Sequence, residues 1–128
     1  MQRHILVVED EVLVGIMLAK QLRDQGYTVA DVVTSGEDAI ARAAEISQGV
    51  VLMDVSLSGK IDGVEAAVRL RSEFGMPIIF FTGYSQDPVL VERAKAANPV
   101  AIISKLGRFE DILAALETAF AQIGSDSV

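Results

Sequence analysis

Ile5-Leu6-Val7-Val8-Glu9-Asp10-Glu11 is an apolar run that stops on three consecutive carboxylates. A run of four bulky apolar residues, with no polar alternation and closed by charge, reads as a short strand buried on both faces. The same design recurs four more times. Thr28 to Val33, Val50 to Met53, Ile78 to Phe81 and Val100 to Ile103 are short, apolar and bounded by turn-forming or charged residues. Between them lie segments rich in Ala, Leu, Glu, Arg and Gln: Glu11 to Asp24, Gly36 to Glu45, Gly63 to Glu73, Pro88 to Ala97 and Arg108 to Ile123. These have the length and composition of helices. The punctuation agrees: Gly26 and Gly75 follow helices, Ser35 and Asp87-Pro88 precede them, and Pro77 opens the fourth strand. Strands that alternate with helices predict an α/β fold, a doubly wound (βα)5 sandwich around a five-stranded parallel sheet.

Composition narrows the chemistry. The chain has 128 residues, 11 basic and 18 acidic, a net charge of −7, one His and no Cys, and 51% of it is apolar. That suffices for one domain with its own core. Without cysteine there is no disulfide, zinc–thiolate or iron–sulfur chemistry and no thiol nucleophile, and any catalytic histidine must be His4. The negative charge opposes nucleic-acid phosphates and anionic lipid, so neither is an expected partner. Met1 to His4 runs so soon into Glu9 that no signal-peptide core fits, and no apolar stretch approaches the roughly 18 residues of a membrane span. A cytoplasmic location is expected.

In an open parallel sheet, ligands bind at the carboxyl ends of the strands, where the strand order reverses. Those ends carry Glu9-Asp10-Glu11, Asp54, Thr82-Gly83 and Ser104-Lys105. If the order is 2-1-3-4-5, the first and third strands are neighbours, and Glu9, Asp10 and Asp54 come together in a pocket with Thr82 and Lys105 alongside. Clustered carboxylates cannot all stay ionised without a cation. A hard divalent ion such as Mg²⁺, held by carboxylates, water and a phosphate oxygen, resolves the conflict. Lys105 then offers a charge to a phosphoryl group, Thr82 a hydroxyl, and Asp54 a nucleophile that can form an aspartyl phosphate. Singly, each residue has a plain alternative: Asp10 as an N-cap, Glu9 and Glu11 as first-turn acids, Lys105 as a solvated strand end.

Together these residues resemble the receiver domain of bacterial two-component response regulators. Ile5 to Glu11 resembles the acidic first motif, Val51-Leu52-Met53-Asp54 the phosphoacceptor motif, Asp62-Gly63-Val64-Glu65 the opening of the third helix, Thr82-Gly83 the switch position, and Lys105 the family lysine. The resemblance covers essentially the whole chain, with the receiver domain expected at 1–123 and 124–128 as a C-terminal tail. It implies a flavodoxin-like fold of strand order 2-1-3-4-5, and phosphoryl transfer from a histidine kinase or histidine phosphotransfer protein to Asp54. It further implies Mg²⁺, or Mn²⁺ in its place, on Glu9, Asp10, Asp54 and the backbone carbonyl of Ser56. Thr82 and Lys105 would bind phosphoryl oxygens and relay the change to the fourth helix and fifth strand. Pro77 to Tyr84 resembles the Phe-Ala-Thr-Gly variant subgroup. Ser56 and Tyr84 stand where the family tunes access of the hydrolytic water, and Ile102 stands where an aromatic is usual. Leu106 replaces a cis proline, so either a trans bond with a shifted loop or a strained cis bond, costing about 2.5–4 kcal/mol, is expected.

The first helix carries more apolar residues than one face needs. A stripe of Val14, Leu18, Gln21 and Leu22 can face the sheet, leaving Leu13, Ile16 and Met17 to pack on the fifth helix or to dock a helical bundle of the phosphodonor. Output is expected through contact with a separate downstream protein, since the receiver uses all 128 residues, or through a homodimer. The competing functions are fewer. A phosphatase with an Asp nucleophile often has a second Asp two residues on, where Ser56 stands, and a flavin carrier needs a hydroxyl- and glycine-rich loop where three carboxylates stand. A degenerate receiver, acting as a binding module without phosphorylation, would lack residues that are present here. The expected role is signalling rather than enzymatic turnover.

Overall fold

The computed structural model describes residues 4–46, 48–57, 60–83 and 88–126. The order of elements is β1 (His4–Val8), α1 (Val12–Asp24), β2 (Thr28–Val33), α2 (Gly36–Ala43), β3 (Gly49–Met53), α3 (Gly63–Phe74), β4 (Ile78–Thr82), α4 (Pro88–Ala94), a 3-10 turn (Lys95–Ala97), β5 (Ala101–Ser104) and α5 (Phe109–Asp126). All strand pairs are parallel and the order is β2-β1-β3-β4-β5, as expected. The chain leaves β1 towards one edge and leaves β3 towards the other. The crevice between their ends is therefore the topological switch point.

Alternation along each strand divides the core into two layers. Ile5, Val7, Val50, Leu52, Ile79 and Phe81 face α1 and α5, where Leu18, Leu22, Ile112 and Leu116 close the layer. Leu6, Val8, Val51, Met53, Ile78 and Phe80 face α2, α3 and α4, packing on Ala39, Ala66, Leu70 and Ala94. The punctuation acts as its residues predict. Ser35 Oγ accepts from the Asp38 N–H at 3.1 Å to cap α2, Asp62 Oδ1 accepts from the Glu65 N–H at 2.8 Å to cap α3, and Gly75 ends α3 in the left-handed conformation.

Three expectations need correction. The buried stripe of α1 is Gly15, Leu18, Ala19 and Leu22, whereas Gln21 is exposed. Small residues let the helix approach the sheet closely: a Cβ on Gly15 would stand 2.7 Å from Val32 Cγ1. Second, α5 does not stop at Ile123. It runs through Gly124 to Asp126, because a glycine near a helix end costs only about 1 kcal/mol against alanine and breaks nothing by itself. Third, α4 is shorter than expected and tightens into the 3-10 turn before Asn98, which has φ 48°. Asp87 and Tyr84 lie outside the described residues. Among the described residues no helix is long and apolar enough to cross a membrane.

Candidate functional site

Strand register brings the acids together. Val8 pairs with Met53, and the ladder continues one step beyond both strands: the Asp54 N–H donates to the Val8 carbonyl at 3.0 Å, and the Glu9 N–H to the Val33 carbonyl at 3.0 Å. Glu9 and Asp54 therefore leave adjacent strands at the same height. Asp10 follows in the turn to α1. One carboxylate oxygen from each of Glu9, Asp10 and Asp54 can be chosen so that all three lie within 4.8 Å of one another.

The capping alternative for these acids is not realised. Glu11 occupies the N-cap of α1 and makes no side-chain cap, and Asp10 is half-buried rather than folded over the helix end. Glu9 instead turns Oε1 onto the Glu11 N–H at 3.2 Å. Its side chain is 0% exposed.

Lys105 enters from the opposite side. Its N–H extends the ladder to the Thr82 carbonyl at 3.0 Å, and its Nζ donates to Asp54 Oδ2 at 2.8 Å and to Glu9 Oε1 at 3.2 Å. The ammonium also stands 5.4 Å from the centre of the Phe81 ring, a contact missed in the sequence because Phe81 reads there as a core residue. Thr82 is buried at the end of β4, and the Ser56 N–H donates to Asp54 Oδ1 at 2.8 Å. The result is an open pocket of 440 Å³ lined by Asp10, Glu11, Asp54, Ser56, Gly83 and Lys105.

Its electrostatics are unbalanced. Burial first, then the neighbouring Asp54 charge, raises the Glu9 pKa, and the Lys105 hydrogen bond only partly offsets this. Burial opposes the Lys105 charge too, but hydrogen bonds to Asp54 and Glu9, with their charges, outweigh it and raise that pKa. Glu9 Oε2 lies 3.1 Å from the same Nζ yet is buried without a hydrogen-bond partner. A buried carboxylate oxygen left over beside two further carboxylates suits a hard divalent cation with oxygen ligands. The donor set Glu9, Asp10 and Asp54 thus fits the expected ion.

Two further features lie beyond what the sequence predicts. A Cβ on Gly63 would stand 2.6 Å from the carbonyl oxygens of both Asp54 and Val55, so the start of α3 sits directly on the backbone that carries Asp54. Glu37 Oε1, at the start of α2, accepts from the Ile61 N–H at 2.8 Å and holds the far end of the same loop. The Asp62-Gly63 motif is a signal for the first; nothing local signals the second.

The remaining expected residues are dispersed. Ile102 is partly buried against the core layer that α4 covers, paired in register with Phe80. The Lys105–Leu106 bond is trans and Leu106 is 91% exposed. His4 opens β1 at the end of the sheet opposite the pocket and takes no part in it. On α1, Leu13 is 76% and Met17 65% exposed, with Val12 and Ile16 beside them.

Comparison with known proteins agrees with this fold. The family described as "Response regulator receiver domain" matches residues 5–117. The transcriptional regulatory protein PdtaR of Mycobacterium tuberculosis is 34% identical over 120 residues, covering 94% of this chain and 58% of PdtaR. The response regulator GacA of Pseudomonas aeruginosa is 33% identical over 119 residues, covering 91% of this chain and 55% of GacA. The chain thus spans little more than half the length of these relatives. Among solved structures, the signal receiver domain of a modulated diguanylate cyclase from Desulfovibrio desulfuricans superposes with a TM-score of 0.88 at 34% identity, covering 98% of this chain and 99% of that one.

Proposed function

The chain belongs to the response regulator receiver domain family, and on that premise we propose that it accepts a phosphoryl group on Asp54 from a phosphohistidine donor and signals by protein contact. The observation that carries this reading is Lys105 Nζ, held 2.8 Å from Asp54 Oδ2 and 3.1 Å from Glu9 Oε2, a buried carboxylate oxygen that accepts no hydrogen bond. A carboxylate oxygen of Asp54 attacks phosphorus, the P–N bond to the donor imidazole breaks, and the imidazole leaves with its electron pair and takes up a proton. Water later attacks phosphorus, releasing inorganic phosphate and restoring the carboxylate. Lys105 stands where it can follow the charge from the carboxylate to the phosphoryl oxygens, and Thr82 ends the neighbouring strand β4. Glu9, Asp10 and Asp54, with the Ser56 carbonyl, would hold Mg²⁺ or Mn²⁺. When bound, that ion supplies neutralising charge to the phosphoryl oxygens.

The donor surface on this reading is the apolar patch of Val12, Leu13, Ile16 and Met17 beside the pocket. A cleft of 270 Å³ between α1 and α5, lined by Met17, Gln21, Lys105 and Phe109 among others, extends it. An apolar helix face next to the acceptor suits an amphipathic helical bundle that carries the phosphohistidine.

Intact-mass measurement after incubation with Mg²⁺ and acetyl phosphate tests the chemistry. One phosphoryl group is expected, and it should be absent in Asp54→Asn. A chain that gains none, or whose Asp54→Asn variant gains as much as wild type, is not a phosphoacceptor at this position.

A further inference from the structure

We propose that Ser104 is a positioning residue for Lys105: its hydroxyl holds the turn that fixes where the ammonium stands. The inference rests on the phosphoacceptor reading above only for its effect on rate.

Lys105 must span a long gap. Its strand, β5, is separated from β3 by β4, and from β1 by β3 and β4, so at about 4.8 Å per strand the ammonium serves carboxylates two and three strands away. Such a span leaves little latitude for the Lys105 backbone. Upstream, that backbone is fixed by the ladder bond from the Lys105 N–H to the Thr82 carbonyl. Downstream there is no ladder, and side-chain packing gives no hold, because Leu106 is almost fully exposed and Gly107 and Arg108 are exposed as well.

Further on, Asp111 Oδ2 accepts from the Arg108 N–H at 3.3 Å and Phe109 packs against the core, which fixes the start of α5; the turn next to Lys105 is closed by Ser104. Its Oγ accepts from the Leu106 N–H at 3.1 Å, and its carbonyl accepts from the Gly107 N–H at 3.0 Å, so one residue closes the turn twice around Lys105. A serine hydroxyl that accepts from the N–H two residues on is a recognised turn-forming arrangement. The carbonyl bond survives Ser104→Ala, but the hydroxyl bond does not. Leu106, which places no side chain in the core, contributes through its N–H.

The test needs two readouts. The first does not involve phosphorylation: acylation of Lys105 by an excess amine reagent, followed by peptide mass spectrometry. An ammonium held between two carboxylates reacts slowly, and Ser104→Ala is expected to raise the rate about two- to tenfold, the worth of one net hydrogen bond, while Ser104→Thr restores protection. The second readout is the rate of phosphorylation by acetyl phosphate. Ser104→Ala should slow it by a similar factor in the wild-type background and change nothing further in Lys105→Ala, with thermal unfolding confirming that each variant folds. Unchanged Lys105 protection in Ser104→Ala overturns the proposal whatever the phosphorylation result. So does slowing that is equal with and without Lys105, since a general structural effect would be additive. A wild-type chain that takes no phosphoryl group, yet loses Lys105 protection on Ser104→Ala, overturns the functional reading and leaves the positioning role supported.

Discussion

Arg93 of α4 is ion-paired with Asp62 through the oxygen that Asp62 does not use to cap α3. Asp62 adjoins Gly63, which sits on the Asp54 backbone, so this pair joins α4 to the segment that bears Asp54. Within α4 itself only Ala94 is buried. An exposed ion pair contributes at most about 1 kcal/mol, so Arg93→Ala should barely move the global unfolding midpoint. Hydrogen exchange across residues 88–94 should nevertheless accelerate relative to β1 and β3. Equal acceleration throughout the sheet would contradict a local tether.

Lys105→Ala strips two buried carboxylates of their cation. Removing one partner of such a cluster should cost about 1–3 kcal/mol at neutral pH in divalent-free buffer. Adding Mg²⁺ should recover much of the loss. Urea unfolding with and without the ion measures both, and a variant as stable as wild type in EDTA would show that the pair contributes nothing.

The raised Glu9 pKa fixes the sign of a pH effect. Between the ordinary glutamate value near 4.5 and the higher value in the fold, the folded chain binds more protons than the unfolded one. In divalent-free buffer, Glu9 therefore makes stability fall as pH rises through that window. Glu9→Gln removes the contribution, so the stability difference between variant and wild type should widen in favour of the variant with rising pH. A difference that is flat with pH excludes Glu9 as its source.

Gly63→Ala inserts a methyl where two backbone oxygens stand at 2.6 Å. Neither can swing aside like a flexible side chain. Destabilisation of about 1–3 kcal/mol is expected, with slower phosphorylation of Asp54 than in the conservative control Ala66→Gly. A fully stable and fully active variant would mean that α3 can shift outward without penalty.

Leu13→Arg separates docking from chemistry. Substitution at so exposed a position should change stability by less than about 0.5 kcal/mol. Phosphorylation by acetyl phosphate should match wild type, while transfer from a phosphorylated histidine-bearing helical bundle should fall about tenfold, as for loss of an interface anchor. Equal losses with both donors would place Leu13 outside a docking surface.

The parts of the molecule written in local pattern are legible in sequence. Short apolar runs such as Val50 to Met53, bounded by turn or charged residues, read as buried strands, and the charged residues ending them become the pocket because every strand is parallel. Gln21 departs from expectation for a physical reason. Pattern reading looks for bulk, whereas α1 meets the sheet through Gly15 and Ala19, whose value lies in what they omit. Arg93–Asp62 and Glu37–Ile61 are illegible because their partners lie 31 and 24 residues apart and meet only through the packing of whole helices. Ser104 reads in sequence merely as a strand end, since a turn held by its own side chain leaves no periodic mark.

Lys105 is 51 residues from Asp54 and 96 from Glu9 along the chain. Contacts of such separation are slow to form, and parallel strands pair only across a long crossover connection. A chain synthesised only through α4 already carries Glu9, Asp10 and Asp54, but not the ammonium that answers them. Such an intermediate gathers like charges at one edge of an unfinished sheet, which works against premature closure and keeps that edge hydrated. The ammonium that answers these carboxylates is then put in place with the docking of β5, late in folding, rather than with the strands that bear them.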